Sequence, residues 1–378
     1  MNQKEINVLM FSGDPRLANP QSAVALRLAS YSVLAHKIFI VVSGKGVEYK
    51  LAENIVVFPI GRGWPFLRVK GIIKKAKEII LKNNLNPQNT IITTQDPFDT
   101  GTAGVLLKKE FNIPLELQIH GDIMSPWFSG QSFLHKIRVS RLKEVLQTAD
   151  TIRVVSNTIA ESISKIVDKD KIYVLPIAIK KPLDYGNRNF LSNKYLGLGF
   201  IMLTIARLEP EKNVAQAIRL LQKVLTIEPR AGLIIVGDGS QRKKLEKLSK
   251  KLGIKDHVSF EGWQEDTKDY FASAHLYLQT SFFEGYGMAI AEAALAGRAI
   301  LSTDVGVAHD LAKLNSALVA PVDDDEKLFE QAKILLDQER RTIMGISAQR
   351  VIDSLIVSKE KFLQVQNNRW QLMLENIQ

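Results

Sequence analysis

Two series of short apolar runs, each interleaved with helical stretches, constrain the fold of this chain more than any other feature. The first series is "INVLMF", "KIFIVVS", "NIVVFPI", "TIITTQ", "LELQIH", "TIRVVS" and "IYVLPI"; the second is "FIMLTIAR", "GLIIVGDG", "HVSFEG", "HLYLQTS", "RAILSTD" and "SALVA". Most are apolar throughout instead of at alternate positions, which suits parallel strands covered on both faces. Helical patterns such as "QSAVALRLASYSVLA", "NVAQAIRLLQKVL" and "GSQRKKLEKLSKKLG" lie between them. Strands alternating with helices predict α/β architecture, and two passes through the pattern predict two Rossmann-like, doubly wound parallel-sheet domains in tandem. A length of 378 residues is long for one core and fits two. The break is expected in "KKPLDYGNRNFLSNKYLGLG", residues 180–199, which clusters Pro182, glycines and asparagines. That gives domains at 1–182 and 183–356. A final helix, within 357–378, carries Phe362, Trp370 and Met373 and is expected to pack back on the first domain.

Composition narrows the setting. Cysteine is absent, so disulfides and thiolate chemistry are excluded and a reducing compartment fits. The apolar part of "MNQKEINVLMFSGD" is too short for a signal peptide, and no run approaches the ~18 apolar residues of a membrane span. The expected location is cytoplasmic, at most peripheral on the inner face of a membrane. Of the net charge of +10, nearly all belongs to residues 1–180, which hold 24 Lys and Arg against 15 Asp and Glu; the remainder holds 26 against 25. Such a field steers acidic ligands or anionic surfaces toward the first half.

The stretch "SFFEGYGMAIAEAALAG", residues 281–297, places Glu284 and Glu292 on either side of a Gly-Tyr-Gly turn. Helix formers from Met288 onward and a closing Gly297 predict a helix over about 287–296. Gly285 and Gly287 then sit at its start, where free backbone N–H groups favour an anion such as phosphate. Ionised carboxylates only accept hydrogen bonds, which suits paired hydroxyls of a sugar or ribose. The stretch therefore suggests a sugar nucleotide; a helix cap plus one solvated Glu is the competing reading. In "IARLEPEKNVAQAI", Arg207 and Lys212 follow a strand, where two cations can clamp a diphosphate or stand solvated beside Glu209 and Glu211.

Other chemistries fit poorly. "VGDGSQ" lacks the third glycine of a dinucleotide fingerprint and has Arg242 there. "DDDE", residues 323–326, precedes a helical pattern and is better explained by capping than by a metal. The six His show no ligand spacing, so no metal or other cofactor is expected. A glycosidase needs two carboxyls flanking the scissile bond, which an acid pair assigned to ribose and sugar cannot supply.

These residues converge on a family. Arg207 and Lys212 in "ARLEPEKN", then "LIIVGDGSQRKKLE", "FEGW", and Glu284 and Glu292 in "EGYGMAIAE" resemble, in order and approximate spacing, the family 4 retaining glycosyltransferases of GT-B architecture. In the first half "HGD" at 120–122 and "ADTIRVVS" at 149–156 resemble that family's acceptor-domain segments. The resemblance implies two domains facing a central cleft and transfer of a hexose or N-acetylhexosamine from a UDP or GDP sugar to a glycan or lipid-linked acceptor. It further implies that Glu284 holds donor-sugar hydroxyls, Glu292 the ribose, and Arg207 and Lys212 the diphosphate, helped by amides of Gly285, Tyr286 and Gly287. Gly237 and Gly239 would allow close approach near the nucleotide, Gly262 and Trp263 would lie beside its base, and His120 would reach the reaction centre. Gly13, Asp14 and Asp122 would be on the acceptor side. The first loop, "FSGDPRLANPQS", has only Gly13 where the family usually has a Gly-Gly turn, and Asp14 and Arg16 stand nearby. A catalytically silent sugar-nucleotide or membrane-surface binding protein of the same fold is the alternative.

The acceptor is expected on the basic half. In "GWPFLRVKGIIKKAKEIILKNNL", residues 63–85, Ile72, Ile73, Ala76, Ile79 and Ile80 share a helical face, lysines fill the rest, and Trp64 and Phe66 precede it. Such a helix can lie on anionic lipid or cover a sheet with its lysines solvated. Nucleic acid is not expected, since no recognised binding module interleaves aromatics with these lysines.

Overall fold

A computed structural model describes residues 6–61, 63–130, 133–181 and 184–376; the expected boundary at 182/183 lies outside the described residues. Eight strands form the first sheet: β1 (Asn7–Ser12), β2 (Lys37–Val42), β3 (Tyr49–Ala52), β4 (Ile55–Pro59), β5 (Thr90–Thr94), β6 (Leu115–Ile119), β7 (Thr151–Val154) and β8 (Ile172–Val174). Six form the second: β9 (Phe200–Ile205), β10 (Ala231–Val236), β11 (Val258–Gly262), β12 (Leu276–Gln279), β13 (Ala299–Thr303) and β14 (Leu318–Ala320). Their orders are β3-β4-β2-β1-β5-β6-β7-β8 and β11-β10-β9-β12-β13-β14. Every apolar run of the two series became a strand, and all pair in parallel except β3 with β4. β3, "YKLA", is an edge strand of mixed polarity, so it carries none of the apolar signal that marked the others.

The chain falls into two compact units, Met1–Val155 with Ile159–Ala178 and Val357–Gln378, and Ser156–Thr158 with Ile179–Ile356. Residues from the expected linker pack on the second unit. Asn187 N–H donates to Asp269 (2.8 Å) and the Phe190 ring meets Tyr270 edge-on.

In the first unit the basic helix Pro65–Lys82 buries Ile72, Ala76, Ile79 and Ile80. This apolar stripe is therefore part of the domain's interior and cannot lie on lipid. What the segment exposes is Trp64 (79 %), Phe66 and Leu67 at its start, with the Lys70 ammonium over the Phe66 ring.

The C-terminal helix Lys359–Glu375 belongs to the same unit because its apolar face completes that core. Trp370, Met373 and Leu374 join Ile6, Val8 and Met10, and Phe362 joins Tyr173 and Leu175. A polar anchor fixes it. Glu116 lies fully buried on β6, where an ionised carboxylate is tolerable only if its lone pairs are satisfied. Its Oε1 accepts from Thr93 Oγ1 (2.8 Å) and Gln118 Nε2 (3.0 Å). Its Oε2 accepts from Tyr173 OH (2.5 Å), Gln366 Nε2 (2.9 Å) and Trp370 Nε1 (3.1 Å). Arg153, also buried, donates to Gln118 Oε1 and to the Leu175 carbonyl. Glu116→Ala strands several buried donors at once, each costing about 1–3 kcal/mol. It is expected to lower the thermal unfolding midpoint and to speed amide exchange in the C-terminal helix; an unchanged exchange pattern there would show that Glu116 is not the anchor.

Candidate active site

In the second sheet the chain starts at β9, moves outward through β10 and β11, then crosses back to β12 on the other side of β9. Loops leaving the carboxyl ends of β9 and β12 diverge at this reversal, and open α/β sheets bind ligands in the crevice that results. Both charged motifs singled out in the sequence lie there. The loop after β9 carries Arg207 and Lys212; the loop after β12 carries Ser281 to Gly287.

Backbone and side-chain bonds lock the two loops together. Phe282 N–H donates to the Glu211 carbonyl (2.8 Å) and Thr280 Oγ1 to that of Asn213 (3.0 Å). The Lys212 ammonium donates to Glu284 Oε1 (2.7 Å) and Oε2 (2.8 Å), with only 16 % and 11 % of the two side chains exposed. Gln279 Nε2 (2.9 Å) and Ser281 Oγ (2.7 Å) also donate to Glu284 Oε1, and Gln279 Oε1 accepts from the Tyr277 hydroxyl (2.6 Å). Oε1 is thereby saturated, while among the described residues Oε2 receives Lys212 alone and keeps room for another donor. The ammonium, with three N–H bonds and two spent on Glu284, keeps one. An acceptor and a cationic donor thus stand side by side, each with unused hydrogen-bonding capacity.

Glu292 has a different environment. It projects from the helix Met288–Leu295, is half-buried, and its carboxylate has no hydrogen-bond partner among the described residues. Burial pushes its pKa upward. Burial also raises the pKa of the Tyr277 hydroxyl, with further contributions from the charges of Glu284 and Glu292, which places both acids around one side chain. The helix begins at Gly287, whose φ of +88° is costly for any residue with a Cβ. The Tyr286 side chain is buried and its hydroxyl has no partner among the described residues, so its part in the turn is played by its backbone.

Arg207 is not drawn into this network. Its side chain is 68 % exposed and pairs with Glu211 on the same loop (Nη2–Oε1 3.2 Å). Arg207 is thus a solvated cation beside Glu211, whereas Lys212 is largely withdrawn from water on Glu284. The glycines also have a structural explanation: a Cβ on Gly237 (φ +127°) would lie 2.0 Å from the Ala206 carbonyl oxygen, and one on Gly239 would lie 2.6 Å from that of Leu208. The close approach they permit is that of the β9 loop itself. Gly237 N–H donates to the Gly262 carbonyl (2.7 Å), and Trp263 beside it is exposed. Sequence reasoning missed Tyr277, Gln279 and Ser281, which orient Glu284; their only signal was a run of polar residues at the end of an apolar strand.

His120, Gly13, Asp14 and Asp122 belong to the first unit. Gly13 and Asp14 follow β1, next to the corresponding reversal between β1 and β5; Ser12 Oγ donates to Gln95 Oε1 across it (3.1 Å). Asp14 caps the turn Pro15–Ala18 and pairs with Arg16 (2.7 Å), which holds its carboxyl below the usual range. Asp122 accepts from Met124 N–H (3.3 Å) and Ser162 Oγ (3.4 Å) in the manner of a turn former, and burial raises its pKa. His120 follows β6 and keeps access to solvent. Crowding by protein atoms, reinforced by the charges of Arg153 and Arg27, pushes its pKa down, so the imidazole is neutral near pH 7.

Residues 197–351 match the family described as Glycosyl transferases group 1, and residues 21–180 match Glycosyltransferase Family 4. An uncharacterized glycosyltransferase of Bacillus subtilis, YqgM, is 24 % identical over 75 % of this chain and 78 % of its own length. Two further curated relatives are matched over only 27 % and 43 % of their length. Among solved structures, sucrose-phosphate synthase of Thermosynechococcus elongatus superposes with a TM-score of 0.80 at 16 % identity over 98 % of this chain and all of that one. HepE of Anabaena, solved in complex with UDP, does so at 0.73 and 16 % identity over the same shares. These likenesses establish the GT-B fold.

Proposed function

The chain belongs to the group 1 glycosyltransferases, with a family 4 first domain, and from that premise we propose that it is a retaining enzyme. It moves a hexose or N-acetylhexosamine from a UDP or GDP sugar onto a glycan or lipid-linked acceptor. One observation carries the reading: Lys212 is held on Glu284 at the reversal of the second sheet, and among the described residues one of its N–H groups has no partner and Glu284 Oε2 accepts from Lys212 alone. A diphosphate takes the ammonium N–H, with backbone amides of Gly285 to Gly287 at the helix start assisting. Sugar hydroxyls donate to Glu284, and ribose hydroxyls donate to the unpartnered Glu292. The UDP in the structure of HepE supports a uridine nucleotide.

As the bond between sugar and phosphate stretches, positive charge develops on the sugar and negative charge on the departing diphosphate. Lys212 and the helix amides stabilise the second; Glu284 faces the first. Groups fixed in place before reaction need no reorganisation when this charge develops, and that lowers the barrier. Arg207 adds to the field once it turns from Glu211. The diphosphate itself takes the proton of the acceptor hydroxyl, so the protein supplies no separate base.

A silent binding protein is the second reading, and the Asp14–Arg16 pair in the first loop favours it. Nucleotide release across UDP, GDP and ADP sugars separates the two. Turnover is expected to fall roughly a hundredfold or more in Glu284→Ala and Lys212→Ala, and much less in the exposed Arg207→Ala. Nucleotide binding without turnover for every sugar and acceptor offered would leave only the silent protein.

No helix among the described residues is long and apolar enough to cross a membrane. For a lipid-linked acceptor we propose that Trp64, Phe66 and Leu67 insert at an anionic surface while Lys70 and Lys74 meet headgroups. Co-sedimentation with vesicles containing phosphatidylglycerol is expected and is lost in Trp64→Ser/Phe66→Ser. Equal sedimentation by the double variant, or none with wild type, contradicts this contact.

A further inference from the structure

The second unit contains a cavity of about 460 Å³ at the edge of its sheet opposite the candidate active site. Strand direction makes this explicit. His275 and Arg298 line the cavity and immediately precede β12 and β13, whereas Gln279 and Glu284 lie at and beyond the other end of β12. Arg341, from the helix Gln338–Leu355, and Arg188 complete the basic lining. None of the lining residues is Asp or Glu.

The arginines are positioned by backbone, not by acids. Arg298 donates through Nε to the Ala296 carbonyl (3.1 Å) and through Nη1 to that of Ala274 (3.0 Å). Arg341 donates through Nη1 to the carbonyls of Leu335 (2.9 Å) and Leu336 (3.0 Å). Each therefore keeps its Nη2 without a partner among the described residues, and Arg188, exposed, makes no described hydrogen bond. His275 Nδ1 accepts from Ile201 N–H (3.1 Å), so the neutral ring carries its proton on Nε2 and adds another donor.

Uncompensated charge shows in the titration of the same groups. Desolvation and the neighbouring Arg188 lower the pKa of Arg298, and desolvation lowers that of Arg341 against a weaker pull from Asp337. Desolvation followed by repulsion from Arg341 and Arg298 lowers that of His275. Partly buried cations without carboxylates are costly unless an anion joins them. A guanidinium fork matches phosphate oxygens bidentately, and the volume falls in the range of small-molecule sites.

We propose that this cavity is a second ligand site, one that binds a phosphate-bearing small molecule on Arg188, Arg298, Arg341 and His275 independently of the candidate active site. The phosphate can belong to a soluble phosphomonoester or to a lipid headgroup. Two arms distinguish these: calorimetric titration with inorganic phosphate against chloride of matched ionic strength, and sedimentation with phosphatidylglycerol vesicles. Both use the full chain, with and without saturating UDP.

Inorganic phosphate is expected to bind whether or not UDP is present, and about tenfold or more weakly to Arg188→Ala and to Arg188→Ala/Arg341→Gln. The single variant removes only an exposed side chain. An unshifted unfolding midpoint of each ligand-free variant identifies lost binding as loss of the site and not of the fold. Vesicle binding lost in these variants, without binding of inorganic phosphate, supports the site with a headgroup as its ligand. No phosphate signal beyond chloride together with arginine-independent vesicle binding overturns the proposal. So does phosphate binding that UDP abolishes, which would assign it to the active site.

Discussion

The Lys212–Glu284 ion pair is the contact on which the candidate site depends. It joins two loops that the topology of the second sheet sends apart, and it does so at the strand reversal where such sheets take ligands. Both side chains are largely withdrawn from water, where losing one partner of a buried pair costs about 3–5 kcal/mol. Gln279 and Ser281 fix the carboxylate from behind. The result is a cation and an acceptor held ready at one point, each with capacity left for a ligand.

Three glutamates differ in hydrogen-bond saturation, and that decides which of them has capacity for a ligand. Glu116 accepts five hydrogen bonds in a dry interior, so no lone pair is open to a ligand, and its role is to hold the C-terminal helix to the first unit. Glu284 is saturated on one oxygen and open on the other. Glu292 is half-buried with no described partner, and burial raises its pKa. A carboxylate left in that state is expensive for folding, a cost that any hydrogen-bond donor reaching it would offset.

Much of this was legible in the chain. Apolar runs, most of them continuous because central parallel strands bury both faces, identified thirteen of the strands, and β3 escaped because its edge sequence "YKLA" is of mixed polarity. The helix after the Gly-Tyr-Gly turn was readable from Met288 onward, since local propensity and Gly297 both mark it. Pairing across distance was not readable: Lys212 and Glu284 lie far apart in sequence, and only the strand order brings them together. Neither was the role of Gly237, because the backbone atom it accommodates, the Ala206 carbonyl, is set by tertiary packing. The amphipathic helix Pro65–Lys82 had a correct period, but a period cannot say whether its apolar face meets a sheet or a lipid. The cavity of arginines left no motif, since Arg188, Arg298 and Arg341 come from three segments far apart in sequence.

A crystal structure of the full chain with bound UDP tests the site most directly. The result expected places a diphosphate oxygen about 2.7–2.9 Å from Lys212 Nζ and the ribose hydroxyls on Glu292. UDP bound elsewhere, with Lys212 and Glu292 both free of it, would contradict a nucleotide site at the reversal of the second sheet.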